Sequence, residues 1–233
     1  MPHPLMDAST RVALAAYLHD LGKFAERAKI FNGDPRLDAH LTLYCPFHIE
    51  GRWFSHQHAA HTALAFGAIE AHLPDTVQGE VFPFAGRKYA GDSDSGEATD
   101  SLVNAAAAHH KPDTFLQWII ATADRVASGF EREEFEQYNR AAEKRANGLN
   151  HYTSRQLTLF EQIRLRDTQP SDAALVQRYP LRMLSPRSIF PKPAAHCEVR
   201  DDQAAQAEYR ALWDQFIAGL RQIPASHRHQ WPL

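Results

Sequence analysis

Histidine in this chain comes in groups, and each group lies in a stretch of helical character. His19 is followed by Asp20 beside the apolar series Leu14, Leu18 and Leu21; His56, His58 and His61 follow within six residues; His109 and His110 close the run Ala105 to Ala108. The 14 histidines among 233 residues are an unusual excess in an otherwise ordinary composition, 44% hydrophobic and 23% charged. Helices that build metal sites point imidazoles and carboxylates inward from facing positions, so these groups constrain the chain to helices that meet around a shared centre. The length fits one large domain, or a domain with an appendage, with a core that needs no covalent staples.

The segments read as mostly helical. Helices are expected from about Asp7 to Ala28, with Asp7 or Ser9 as N-cap, from His56 to His72, from Leu102 to His110, from Thr114 to Ser128, and from Glu131 to Ala146. The span from Leu73 to Asp100 lacks a period, is rich in turn residues and reads as a loop or lid. After Gly148 the character changes. Leu157 to Ile163 and Tyr179 to Leu184 read as two strands of a small hairpin, a Pro-rich linker runs from Ser185 to Pro193, and a last helix covers about Gln203 to Gln222. The expected organisation is a helical domain over residues 1–150, and extended segments with a C-terminal helix over 151–233.

Composition excludes several classes. The longest apolar runs, such as Trp118 to Ala121, fall far short of a membrane span, and the first ten residues lack the features of a signal peptide. Two cysteines, Cys45 and Cys197, cannot form a disulfide framework, so a cytoplasmic location is expected. A formal net charge of −3 argues against wholesale electrostatic binding of duplex nucleic acid.

On a continuous helix, His19, Asp20 and Lys23 fall within one arc of about 100°. A nitrogen and an oxygen donor side by side suit first-row transition metals. His58 and His61 are neighbours at helical spacing. The small residues before His109-His110 let another helix approach; the bland alternative is a favourable charge at a helix C-terminus. Asp124 lies on the apolar stretch Trp118 to Ala127, where a carboxylate must be paired or coordinated, with Arg125 as a possible local partner. Cys45-Pro46-Phe47-His48 offers two zinc-type donors but no second pair, and reads as a plain buried or loop cysteine.

Taken together, Leu18-His19-Asp20-Leu21-Gly22-Lys23-Phe24, His58-Ala59-Ala60-His61-Thr62, Ala108-His109-His110-Lys111-Pro112 and Ala123-Asp124-Arg125-Val126-Ala127 resemble the HD metal-dependent phosphohydrolase superfamily. Within it they resemble the N-terminal nuclease domain of the large, Csm-type subunit of type III CRISPR effector complexes, whose permuted order puts the His-Asp pair ahead of the lone histidine. The resemblance implies a mainly α, HD-type fold with a small extended appendage. It implies His19, Asp20, His58, His109, His110 and Asp124 as metal ligands, His19, Asp20 and Lys23 as catalytic residues, and Lys23 as a phosphate-neutralising cation. His61 is either a ligand or a residue supporting the ligands.

The implied activity is hydrolysis of single-stranded DNA assisted by one or two divalent ions, with Mn²⁺, Ni²⁺, Co²⁺ or Fe²⁺ suiting this His-rich set better than Mg²⁺ alone. Arg87, Lys88 and Lys111, with Tyr89, are expected to contact the strand. The implied partners are the remaining domains of the large subunit and the other effector subunits with guide RNA, with no membrane. The alternatives are an HD phosphohydrolase of small nucleotides and a non-catalytic docking module. No Gly-Gly-Asp-Asp motif occurs, so cyclic oligoadenylate synthesis is not expected, and the chain reads as a piece of the larger subunit.

Overall fold

A computed structural model describes residues 4–74, 101–128, 155–156, 158, 160–162, 176–197 and 199–227. The fold is mainly helical. The helices are α1 (Pro4–Leu18), α2 (Leu21–Arg27), α3 (Leu37–Tyr44), α4 (His58–Ile69), α5 (Leu102–Ala107), α6 (described over 115–128) and α7 (Asp202–Gln222). Two antiparallel pairs of two-residue strands accompany them. One joins β1 (Phe47–His48) to β2 (Trp53–Phe54), and the other joins β3 (Gln177–Arg178) to β4 (Lys192–Pro193). Among the described residues no helix is long and apolar enough to cross a membrane.

Helix α4 is the hub. Every residue from His58 to Phe66 is buried, and α2, α3 and α5 all pack on it. Alanines at 59, 60, 63 and 65 keep its surface low, so neighbouring backbones approach closely, while Phe66 and Ile69 fill the centre with Leu14, Leu18, Leu102, Val103 and Ile120. Helix α5 is buried along its whole length and begins on a Ser101 cap, whose hydroxyl accepts from the Asn104 amide at 3.2 Å. Tyr44 ties α3 to α5 by donating its hydroxyl to Asn104 Oδ1 at 2.7 Å.

The long α7 is capped by Asp201, which accepts from the Ala204 amide at 2.8 Å. It lays Trp213 against Ala25 and Ala65, with Phe216, Ile217 and Leu220 packed on the main core. Arg27 donates to Tyr209 Oη at 2.9 Å and Arg210 to the Ala28 carbonyl at 3.2 Å, so α7 is fixed to α2.

Two local expectations are corrected, and one stretch gains elements. The single helix from Asp7 to Ala28 is two helices, because the chain breaks at His19-Asp20. The apolar period continues through the break, but the Thr62 hydroxyl donates to the His19 carbonyl at 2.8 Å and accepts from the Gly22 amide at 3.0 Å, taking both backbone groups for α4. The hairpin expected between 157–163 and 179–184 is absent among the described residues. Phe160–Gln162 is a 3₁₀ turn, and residues 177–178 pair instead with 192–193. Helix α3 and the β1–β2 hairpin occupy a stretch for which the periodicity predicts no element. The expected lid beyond residue 74, the helix at 131–146, and Arg87, Lys88 and Tyr89 lie outside the described residues.

Candidate metal centre

The break between α1 and α2 determines where the first two donors point. Gly22 sits so close to α4 that a Cβ there would fall 1.9 Å from the His58 carbonyl oxygen and 2.4 Å from the Thr62 nitrogen. Glycine is therefore the residue that lets the His19-Asp20 joint rest on α4 beside His58. His109 and His110 arrive from the opposite side on the 3₁₀ turn that ends α5 (Ala108–His110). Asp124 enters from α6.

These side chains converge. Asp20 Oδ1 lies 3.4 Å from His58 Nε2 and 4.0 Å from His109 Nε2, and its Oδ2 lies 3.4 Å from His19 Nε2. His19 Nε2 is also 3.5 Å from Asp124 Oδ1, and His58 Nε2 is 2.9 Å from His110 Nε2. Two sets emerge, His19, Asp20 and His109 on one side and His58, His109 and His110 on the other, each with donor atoms within 4.8 Å of one another. His109 belongs to both.

The donor set fits a divalent cation on three grounds. First, His19 Nε2, Asp20 Oδ1 and His109 Nε2 are buried without a hydrogen-bond partner, a costly state for three polar atoms pointing at one volume. Second, His19 Nδ1 donates to the Ala16 carbonyl at 2.6 Å and His109 Nδ1 to the Ala106 carbonyl at 2.7 Å. A carbonyl only accepts, so each Nδ1 carries the proton and each Nε2 turns a lone pair inward, the orientation of metal-binding imidazoles. Third, donors about 2.0–2.1 Å from a common ion lie about 3 Å apart at a right angle and about 3.4 Å apart at a tetrahedral one, close to the separations of His58 from His110 and of Asp20 from His19 and His58, with His109 standing wider at 4.0 Å from Asp20.

The electrostatics agree. Burial pushes His58 down to about 3, only partly offset by the Asp20 charge, and pushes His109 down to about 4. His110 falls to about 2 through burial and then the neighbouring His109 and His56. These three imidazoles are neutral, as ligation requires. Burial works against the Asp20 carboxylate, yet the adjacent His19 and the hydrogen bond from Lys23, whose Nζ is 2.5 Å from Oδ2, hold it well below the usual carboxylate range. His19 is opposed by burial too, but the neighbouring Asp20 carboxylate raises it. The carboxylates of Asp20 and Asp124 beside His19 Nε2 thus favour positive charge at that point.

Of the residues singled out from sequence, His19, Asp20, Lys23, His58, His109, His110 and Asp124 are brought together. Arg125 does not serve as Asp124's partner; its guanidinium lies over the Trp118 ring, 5.4 Å from the centroid, and Asp124 instead accepts from Ser128 Oγ at 3.2 Å. His61 falls outside both donor sets. Its ring is buried beside Phe31, with centroids 6.2 Å apart, and burial lowers it to about 4. Lys111 is exposed and donates to the Thr42 carbonyl at 3.0 Å. Cys45 is buried, its thiol pushed up to about 11 by burial and directed at the His56 carbonyl, so it packs rather than ligates.

His56 is the residue for which sequence offered no role. It stands in the left-handed region, φ 54°, and its ring lies 4.0 Å from that of His110. Its signal was the His-x-His spacing with His58. An open cleft of about 530 Å³ also borders the centre, lined by Lys23 and Arg27 of α2, by Trp53 and Phe54 of the hairpin, and by His58. Comparison with known family models, curated proteins and solved structures finds nothing that matches this chain.

Proposed function

We propose that this chain is a metal-dependent phosphodiesterase domain of the HD type, acting on single-stranded DNA. We further propose that it works in the cytoplasm as the nuclease portion of the large, Csm-type subunit of a type III CRISPR effector, beside the remaining domains of that subunit and the guide RNA. The observation that carries the reading is the convergence of three buried, unpartnered lone-pair donors, His19 Nε2, Asp20 Oδ1 and His109 Nε2, with the neutral pair His58 and His110 at their side.

The donor chemistry favours Mn²⁺, Ni²⁺, Co²⁺ or Fe²⁺, since a mostly imidazole set is a poor match for Mg²⁺. When bound, such an ion supplies Lewis acidity to the phosphodiester and makes water a nucleophile at neutral pH. The chain's own residues do the rest. His19 and His109 are oriented by backbone carbonyls, so their lone pairs need no reorganisation. Asp20 divides its oxygens, Oδ2 to the Lys23 ammonium and Oδ1 to the centre. The Lys23 ammonium, at the rim of the cleft, meets the negative charge of an incoming phosphate. The openness of the cleft favours a polymer over a small nucleotide, which would need a closed pocket.

The test is cleavage of single- and double-stranded DNA and RNA in the presence of Mn²⁺ or Ni²⁺, run beside His19→Ala/Asp20→Ala. Metal-dependent cutting of single-stranded DNA that disappears in the folded double variant is expected. Cleavage restricted to small nucleotides points to the phosphohydrolase reading. A wild type that leaves every substrate intact points to a docking module.

A further inference from the structure

We infer that the β1–β2 hairpin and α2 form a base-stacking cleft through which a single strand enters the metal centre, with Trp53 as its platform. The inference rests on the proposed function for the centre the cleft borders, but the cleft has its own geometry. Trp53 is 51% exposed, yet its ring is fixed. His48 stacks on one indole face, with centroids 4.4 Å apart and planes 12° off parallel, and His48 Nε2 is in turn hydrogen-bonded to Ser55 Oγ at 3.0 Å. Gly51 makes room at the ring edge, since a Cβ there would lie 2.5 Å from Trp53 Cδ1. Phe54 is backed by Phe47 at 4.9 Å. An ordered indole left half in water loses little entropy when a base continues its stack, which is how a pre-organised surface gains affinity.

The α2 wall supplies charge. Lys23 and Arg27 are four residues apart on α2 and so share a face. Arg27 is held by the Tyr209 hydroxyl at 2.9 Å and by that ring, 5.3 Å from its centroid, which leaves other N–H groups of the guanidinium for a phosphate. Glu26 is the acid of this wall; it lies between Lys23 and Arg27, whose positive charges offset its own. An aromatic platform and two cations lining one cleft match a single strand, whose bases are free to stack while its backbone tracks the cations. A duplex keeps its bases inside. The cleft shares Lys23 and His58 with the metal centre, so a strand lying in it runs up to that centre.

The experiment is fluorescence anisotropy of a labelled oligothymidylate with the full chain in EDTA, which separates binding from turnover. Wild type is expected to bind the strand, and a duplex of equal length at least tenfold more weakly. Trp53→Ala and Trp53→Leu should each weaken strand binding about tenfold, while Trp53→Phe, which keeps a π face, should stay near wild type. Thermal melts check that each variant is folded. Hydrolysis of a small nitrophenyl phosphodiester by the Mn²⁺-loaded wild type is read separately. If that substrate is cleaved while strand binding ignores Trp53→Leu, the cleft inference is overturned and the proposed function stands. If binding depends on an aromatic residue at 53 but no diester is ever cleaved, the cleft stands and the proposed function falls. Equal affinity for duplex and single strand, or no binding by wild type, overturns the cleft.

Discussion

His58 Nε2 and His110 Nε2 face each other at 2.9 Å across the gap between α4 and the end of α5, two nitrogens from residues 52 positions apart. Both cannot carry a proton there. The pair is either one short hydrogen bond or, with both lone pairs free, one edge of a coordination shell. Replacing His110 with Ala should therefore weaken Mn²⁺ binding by more than about 100-fold, as loss of a direct ligand exceeds the 10–100-fold typical of supporting residues. Isothermal titration at pH 7.5 reads this directly, and an unchanged affinity would remove His110 from the ligand set.

Acid should unfold the metal-free protein early. His58 and His109 have folded values of about 3 and about 4, below the ordinary 6.5, so the unfolded chain binds their protons first as pH falls. Their contribution is intact above pH 6.5 and is lost toward the folded values. His109 alone costs about 2 kcal/mol between pH 7 and 5. His19 runs the other way: its raised value gives stability present below 6.5 and lost as pH rises through it. Urea melts in chelator at pH 7.5 and 5 should show a net loss; a flat profile would mean these imidazoles are not buried neutral.

Gly22→Ala should damage the centre without touching a ligand. The added methyl would overlap the His58 carbonyl and the Thr62 amide, both backbone atoms of the central helix. Overpacking of this kind costs about 1–3 kcal/mol or more. The expected outcome is a lower melting temperature together with weaker metal binding. Thr62→Val, which keeps the shape and removes both hydrogen bonds to the joint, should reproduce part of it.

Lys23→Met separates two roles of one ammonium. Asp20 loses its Oδ2 partner but keeps Oδ1 toward the centre, so metal affinity should change only a few-fold. Charge neutralisation at the phosphate is lost, and kcat/KM on single-stranded DNA should fall about 100-fold, the scale of removing one stabilising donor. A fall in metal affinity matching the fall in rate would show that Lys23 acts through Asp20 alone.

The convergence of His19, Asp20, His58, His109, His110 and Asp124 was legible from donors set beside small or apolar neighbours taken together with the family resemblance, while each group alone had a plain structural explanation. The break at His19-Asp20 was not, because Leu14, Leu18 and Leu21 keep one helical period straight through it; Thr62, more than forty residues away, imposes it. The hairpin carrying Trp53 has two-residue strands, too short to show alternation, and its partner positions are set by side-chain stacking. The pairing of 177–178 with 192–193 is equally brief. His61 shows the opposite error, a histidine at ligand spacing that packs beside Phe31.

Helix α7 holds the back of α2 through Tyr209 and Arg210, each 182 residues beyond its partner. During synthesis, the segment bearing His19 and Asp20 leaves the ribosome long before the helix that braces it. The nascent chain can assemble α4 against α2 early, but the brace closes only once translation has passed Leu220. The joint itself is already held by Thr62 of α4 at that stage, so the late brace reinforces a ligand pair whose placement came earlier.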